Sequence, residues 1–272
     1  MGNSQGRYVI APPRFVLLGD SITQEAKIMD GWGVHLAGYY DRRAEVVVRG
    51  FAGYTSRMIL PALGAALPPG GAVAAGLGPV GLVIIMLGTN DCVEFGQGHV
   101  PLQEYRANLS AIIKQTRLRY GQDVGIVLMS PPPANDNFRQ PEIVAEYAQS
   151  CCSIAEECGV ACLDLHSAML ARDDWQSFLK DGVHLSAMGN KFLADSLLAV
   201  IEKRFPHLAA DSPNESEGEQ RQPNPLPHHL PDNTDIGEDI IQVFSRVSGE
   251  IGKTEANPAR ILEIPAELRK KA

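Results

Sequence analysis

The chain lacks the features that mark a binder of nucleic acid or of an anionic membrane. Its 272 residues carry 24 Lys and Arg against 32 Asp and Glu, a formal net charge of −8. No basic amphipathic stretch offsets that deficit. Both partner classes need basic patches, so neither is expected. Long apolar runs are missing as well, and none approaches the ~20 residues that span a bilayer. The opening MGNSQGRYVIAPPR lacks the positive-then-apolar order of a secretory signal, which predicts a cytoplasmic protein.

Cysteine is sparse and its spacing matches no framework. Cys92, Cys151, Cys152, Cys158 and Cys162 make an odd count with no mark of export, so free thiols in a reducing compartment are expected. There is no CxxC pair and no nearby histidine to complete a zinc site. Cys151, Cys152 and Cys158 fall on a predicted helix and are expected as small buried hydrophobes. His207, His228 and His229 are too scattered to argue for a metal. No metal or organic cofactor is expected.

What the chain does have is alternation. The apolar fraction of 44% is that of a globular protein with a real core. Short runs at 14–18, 45–49, 81–87, 124–129 and 160–164 are nearly continuous in Val, Ile and Leu, as in strands buried on both faces of a parallel sheet. Between and after them, 31–40, 55–66, 102–119, 142–158 and 187–204 carry helical spacing. In 102–119, for example, Leu102, Tyr105, Leu109, Ile112, Ile113 and Thr116 share one face. Strand and helix in turn predict an α/β domain, a three-layer α/β/α sandwich around a five-stranded parallel sheet. Right-handed crossovers favour the flavodoxin-like strand order 2-1-3-4-5. Residues 68–79, PPGGAVAAGLGP, read as a flexible loop before the third strand without a role in chemistry.

The domain is expected over 1–206. Residues 207–235, rich in Pro, Asn, Asp, Glu and Ser, have the composition of a disordered linker. In the tail 236–272, residues 236–251 regain helical period through Ile240, Val243, Phe244, Val247 and Ile251. Docking on the domain, binding a partner and self-association with a second copy are the open roles for that helix.

In an open α/β sheet, ligands bind outside the carboxyl ends of the strands. Four predicted strands end in polar residues that a core would not hold. They are Gly19-Asp20-Ser21-Ile22-Thr23, Gly50-Phe51-Ala52-Gly53-Tyr54-Thr55, Gly88-Thr89-Asn90-Asp91 and Ser130-Pro131-Pro132-Pro133. Near the end of the domain stands Asp181-Gly182-Val183-His184. A serine hydroxyl becomes a good nucleophile only when a base takes its proton. His184 is the candidate base for Ser21, and Asp181, read as one helical turn earlier, can accept from its Nδ1–H.

Each residue alone also has an ordinary explanation. Ser21 reads equally as a helix cap, and Asp181 as a cap for the helix near 187. Asp20 and Asp91 read as loop-holding or capping carboxylates. The joint placement of four segments at one sheet edge favours catalysis.

GDSIT, GFAGYTS, GTND and DGVHLS resemble, in order, the four sequence blocks of the SGNH (GDSL-type) hydrolase superfamily. They span about residues 14–205. The SPPP segment and the wording of the blocks are most similar to the isoamyl-acetate-hydrolysing esterase branch. The resemblance implies a serine esterase with Ser21, Asp181 and His184 as the triad. It also implies an oxyanion hole formed by the backbone N–H of Ser21, the backbone N–H of Gly53 and the side-chain amide of Asn90. Through the branch it implies small, acetyl-type esters of apolar alcohols. The G-x-S-x-G elbow of lipase-type α/β-hydrolases is absent around Ser21. The same four blocks serve thioesterases, lysophospholipases and carbohydrate deacetylases, and a non-catalytic binding protein working through its tail is the rival of another class.

Overall fold

The computed structural model describes residues 12–70, 77–94 and 98–209. The chain divides into two units, Met1–His229 and Leu230–Ala272, and every described residue belongs to the first. Most of the predicted linker and all of the tail helix therefore lie outside the described residues.

Five strands, β1 (Arg14–Gly19), β2 (Glu45–Gly50), β3 (Val80–Met86), β4 (Gly125–Met129) and β5 (Ala161–Leu163), form one sheet in the order β2-β1-β3-β4-β5. All four pairings are parallel. This is the order and direction read from the sequence. The helices are α1 (Ser21–Gln24), α2 (Trp32–Tyr39), α3 (Ser56–Ala66), α4 (Leu102–Tyr120), α5 (Pro141–Glu157), α6 (Leu165–Leu170) and α7 (Ala187–Arg204).

Side chains alternate across the strands and so feed two cores. Val16 and Leu18 of β1, Val83 and Ile85 of β3, and Ile126 and Leu128 of β4 pack with Ile59, Leu109, Ile112, Val144 and Ile154 of α3, α4 and α5. Their neighbours Phe15, Leu17, Leu82, Ile84, Val127 and Met129 pack on the other face with Trp32, Leu36, Leu193, Leu197 and Ile201 of α2 and α7. Full burial of one such side chain is worth about 1.5–3 kcal/mol, which is why the strands show almost no polar residues. Packing continues past Pro206 to Leu208, which is buried in the second core.

Only Cys92 and Cys151 are buried. Cys152, Cys158 and Cys162 are partly exposed, and all five are free. Cys152 and Cys158, expected as buried, are only partly so: Cys158, the cap residue after α5, still packs against the first core, and Cys152 faces β5. There Cys152 Sγ lies 2.9 Å from Cys162 Sγ.

Register decides where chemistry can occur. Gly19 pairs with Gly50 and with Met86, Met86 with Met129, and Met129 with Leu163. The carboxyl ends of all five strands thus stand abreast, and the polar segments that follow them share one edge. The ends of the Gly- and Pro-rich segment sit at the other edge, where β1 begins. Arg14 donates to the carbonyls of Pro69 (2.8 Å) and Gly78 (2.9 Å) there.

Candidate active site

Asp20 leaves β1 and caps α1, its Oδ1 accepting from Ile22 N–H at 3.0 Å. Ser21 is therefore not the cap but the first residue of the helix. Next to it, Phe51 N–H donates to Gly19 C=O at 2.9 Å and Ala52 N–H to Gln24 Oε1 at 3.0 Å. These bonds lash the loop after β2 to both ends of α1.

The segment Asp181–His184 is a loop, not the helical turn that the i, i+3 spacing suggested. It lies between a 3-10 turn, Trp175–Phe178, and α7, whose cap is Ser186 (Oγ accepting from Gly189 N–H at 3.2 Å). Gly182 has φ +86°, which a helix excludes. A Cβ there would meet Asn135 O at 2.2 Å, so glycine lets the loop press against the segment after β4. Gly182 C=O accepts from Asn135 N–H at 2.7 Å, and Lys180 N–H donates to His184 C=O at 2.9 Å.

Within that loop Asp181 gathers donors. Its Oδ1 accepts from the backbone N–H of Val183 (3.0 Å) and of His184 (2.7 Å), and its Oδ2 faces His184 Nδ1 at 2.7 Å. Partial burial pushes its pKa up, but the hydrogen bonds from His184 and Val183 outweigh this and hold it at about 2. An ionised carboxylate only accepts, so Nδ1 carries the proton and Nε2 presents a lone pair. His184 Nε2 lies 2.9 Å from Ser21 Oγ. The serine O–H can donate to it, and the pair is set for proton transfer.

Gly53 and Asn90 occupy adjoining loops. Gly53 has φ +77° in the turn closed by Tyr54 N–H onto Phe51 C=O (3.1 Å), and a Cβ there would meet nothing within 4 Å. Asn90 Nδ2 donates to Tyr54 C=O at 2.9 Å. An amide nitrogen has two hydrogens, so this bond leaves one for another acceptor.

Two buried carboxyls underlie the site. Asp91 accepts from the N–H (2.9 Å) and the hydroxyl of Ser56, and Asn108 Nδ2 donates to that hydroxyl at 3.0 Å. This network pins the start of α3 beneath the GTND loop. Burial raises the Asp91 pKa to about 6 against those hydrogen bonds. Burial likewise raises Asp20 to about 7, opposed by the Ile22 N–H and reinforced by Asp91. Among the described residues, no three His, Cys, Asp or Glu side chains cluster as metal ligands.

Arg139 was not singled out from the sequence. It donates from Nε to Thr89 C=O at 2.6 Å and from Nη2 to Asn90 Oδ1 at 3.4 Å, and pairs with Asp136 through Nη1. Nothing in a lone arginine in a polar loop announces such contacts. The nearest signal was Asp136, which suits a turn in which a carboxylate accepts from the following backbone. It takes the N–H groups of Phe138 (3.1 Å) and Arg139 (2.9 Å).

Comparison with known proteins gives the family and the fold. The model of the GDSL-like lipase/acylhydrolase family matches residues 17–192. The chain is 35% identical over 215 residues to the human isoamyl acetate-hydrolyzing esterase 1 homolog, covering 72% of this chain and 84% of that one. It is also 35% identical over 238 residues to a GDSL esterase/lipase of Arabidopsis thaliana, covering 78% and 96%. Among solved structures, an acetylxylan esterase, Axe2 of Geobacillus stearothermophilus, shares the fold with a TM-score of 0.57 at 23% identity, covering 71% of this chain and 96% of that one. Among the described residues, no helix is long and apolar enough to cross a membrane.

Proposed function

The chain belongs to the GDSL-like lipase/acylhydrolase family, and on that premise we propose that it is a serine esterase acting through an acyl-enzyme on Ser21. The single observation that carries this is the relay Asp181–His184–Ser21, closed at 2.7 and 2.9 Å. Ser21 Oγ attacks the ester carbonyl carbon while His184 Nε2 takes its proton. Asp181 keeps the imidazole in the required tautomer and stabilises the imidazolium without taking the proton itself.

The tetrahedral oxyanion is held by the N–H of Ser21, the N–H of Gly53 and the second amide hydrogen of Asn90. Collapse expels the alcohol, which receives the proton from His184. Water then gives its proton to Nε2, attacks the acyl carbon, and releases the acid. The scheme needs no metal or organic cofactor.

For substrate we propose small acyl groups, acetyl foremost, esterified to an apolar alcohol. The relatives named for isoamyl acetate hydrolysis support the choice. So do the aromatic side chains of the edge: Phe51 and Tyr54 have ring centroids 5.2 Å apart, and Phe138 beside Arg139 is 71% exposed. Five unbridged thiols suit a reducing compartment such as the cytoplasm.

A fluorophosphonate probe should label Ser21 in the folded protein and fail on Ser21→Ala. No adduct on Ser21 would sink the proposal. A panel of acetyl esters, acyl-thioesters, lysophospholipids and acetylated sugars assigns the substrate class. Faster turnover of any of the last three would overturn the choice of simple acetyl esters.

A further inference from the structure

We propose that Arg139 is a positioning residue for the oxyanion donor, fixing which end of the Asn90 amide faces the reacting carbonyl. The kinetic part of this inference rests on the esterase reading above.

An asparagine side chain is nearly symmetrical in shape, so its neighbours decide which end is which. In this site the oxygen end meets the Arg139 guanidinium and the nitrogen end meets Tyr54 C=O. A flipped amide would set N–H against a cationic donor and oxygen against oxygen. Both partners oppose the flip, and only the unflipped amide can donate to an oxyanion. The cation at Oδ1 also draws electron density through the amide, which strengthens donation from Nδ2.

The position calls for arginine in particular. One planar fork serves three acceptors at once: Thr89 C=O by Nε, Asp136 by Nη1 and Asn90 Oδ1 by Nη2. A lysine ammonium is a point donor and does not reproduce that arrangement. The side chain is only 10% exposed, so its direction is set by these contacts rather than by solvent. Glu94 N–H donates to Phe138 C=O at 3.2 Å, a second tie between the Arg139 loop and the segment after Asn90.

A plain loop staple would also explain the bond to Thr89, so the test must isolate the route through Asn90. Steady-state hydrolysis of p-nitrophenyl acetate by the full chain is compared for wild type, Arg139→Gln, Arg139→Lys, Asn90→Ala and the Asn90→Ala/Arg139→Gln double variant. Arg139→Gln should lower kcat by about ten- to a hundredfold, the scale of a misplaced catalytic group, with KM changed little. Arg139→Lys should retain more of kcat than Arg139→Gln. In the Asn90→Ala background the Arg139→Gln change should cost less than about twofold, because residues acting through one another are not additive. Equal losses in both backgrounds, or a loss carried by KM, would overturn the inference.

A second readout needs no turnover. The Asn90 side-chain amide peaks in a 1H–15N spectrum, assigned by their disappearance in Asn90→Ala, should shift in Arg139→Gln. Unmoved peaks reject the contact. If wild type hydrolyses no ester, the esterase reading falls while these peaks still decide the placement of Arg139. If Arg139→Gln does not fold, Arg139→Lys and Asp136→Asn carry the same comparisons.

Discussion

His184 reaches Ser21 from 163 residues away along the chain, with Nε2 and Oγ 2.9 Å apart. Trp32 helps hold the two ends together. Its N–H donates to Asn190 Oδ1 (3.0 Å) near the start of α7, and its indole Nε1–H to Ile22 C=O (3.2 Å) in α1. One residue, through its backbone N–H and its indole, thus ties the helix that carries the serine to the helix that follows the histidine.

Removing any member of the relay should stop turnover without unfolding the domain. Ser21→Ala and His184→Ala should leave only residual activity. Asp181→Asn, which no longer dictates the tautomer, should lower kcat by about 10⁴-fold with KM nearly unchanged. Steady-state kinetics with an acetyl ester, alongside circular dichroism, is the check. A kcat within tenfold of wild type for His184→Ala would be incompatible with its role as base.

Asn90→Ala should lower kcat by about 10²–10³-fold and change KM far less, since the donor acts on the oxyanion rather than on the ground-state carbonyl. The same variant should lose affinity for a transition-state-like boronate or phosphonate. Weaker substrate binding at an unchanged kcat would instead place Asn90 in ground-state recognition.

Buried Asp20 and exposed Asp181 give stability a pH dependence of opposite signs. Asp20 holds its proton up to about pH 7 when folded, against 3.8 ordinarily. Between those values the unfolded chain binds fewer protons than the native one, so stability falls as pH rises. Asp20→Asn keeps a cap oxygen for Ile22 N–H and removes the titration. Its melting temperature relative to wild type should rise by several degrees between pH 5 and 8, taking about 1.4 kcal/mol per pKa unit and 2–4 °C per kcal/mol. Asp181 works the other way. Held at about 2, it stabilises above its ordinary value, and that contribution is lost as pH falls from about 4 towards 2. Thermal melts across pH on wild type, Asp20→Asn and Asp181→Asn separate the two.

Gly182→Ala and Gly53→Ala should differ in kind. At Gly182 the added Cβ meets a backbone oxygen at 2.2 Å, so the loop must move and His184 with it. Melting temperature and kcat should both fall, with a strain cost on the order of 1–3 kcal/mol. At Gly53 the space is open and only the positive φ resists, so stability should drop less. Urea titrations of the two variants give the comparison.

Strands and major helices were legible because burial on both faces demands unbroken apolar runs, and α4 shows its period over nineteen residues. α6 was missed because six residues, Leu165–Leu170, are too few to display a period. The polar segments at the strand ends could be placed at one edge from topology alone. The Asp181–His184 spacing misled, since i, i+3 fits a helical turn and a loop equally; Gly182, with its positive φ, was the overlooked sign. Arg139 stayed invisible for a different reason. Its partner Asn90 lies 49 residues away, and that meeting exists only after β3 and β4 have paired.

The tie through Trp32 has a consequence for synthesis. Ser21 emerges from the ribosome early, and Asp181 and His184 follow only when nearly the whole domain has been made. A nascent or truncated chain ending before Asp181 carries Ser21 but neither His184 nor Asp181. On the proposed mechanism, hydrolytic activity should therefore appear only after Asp181 and His184 have been made and brought against α1.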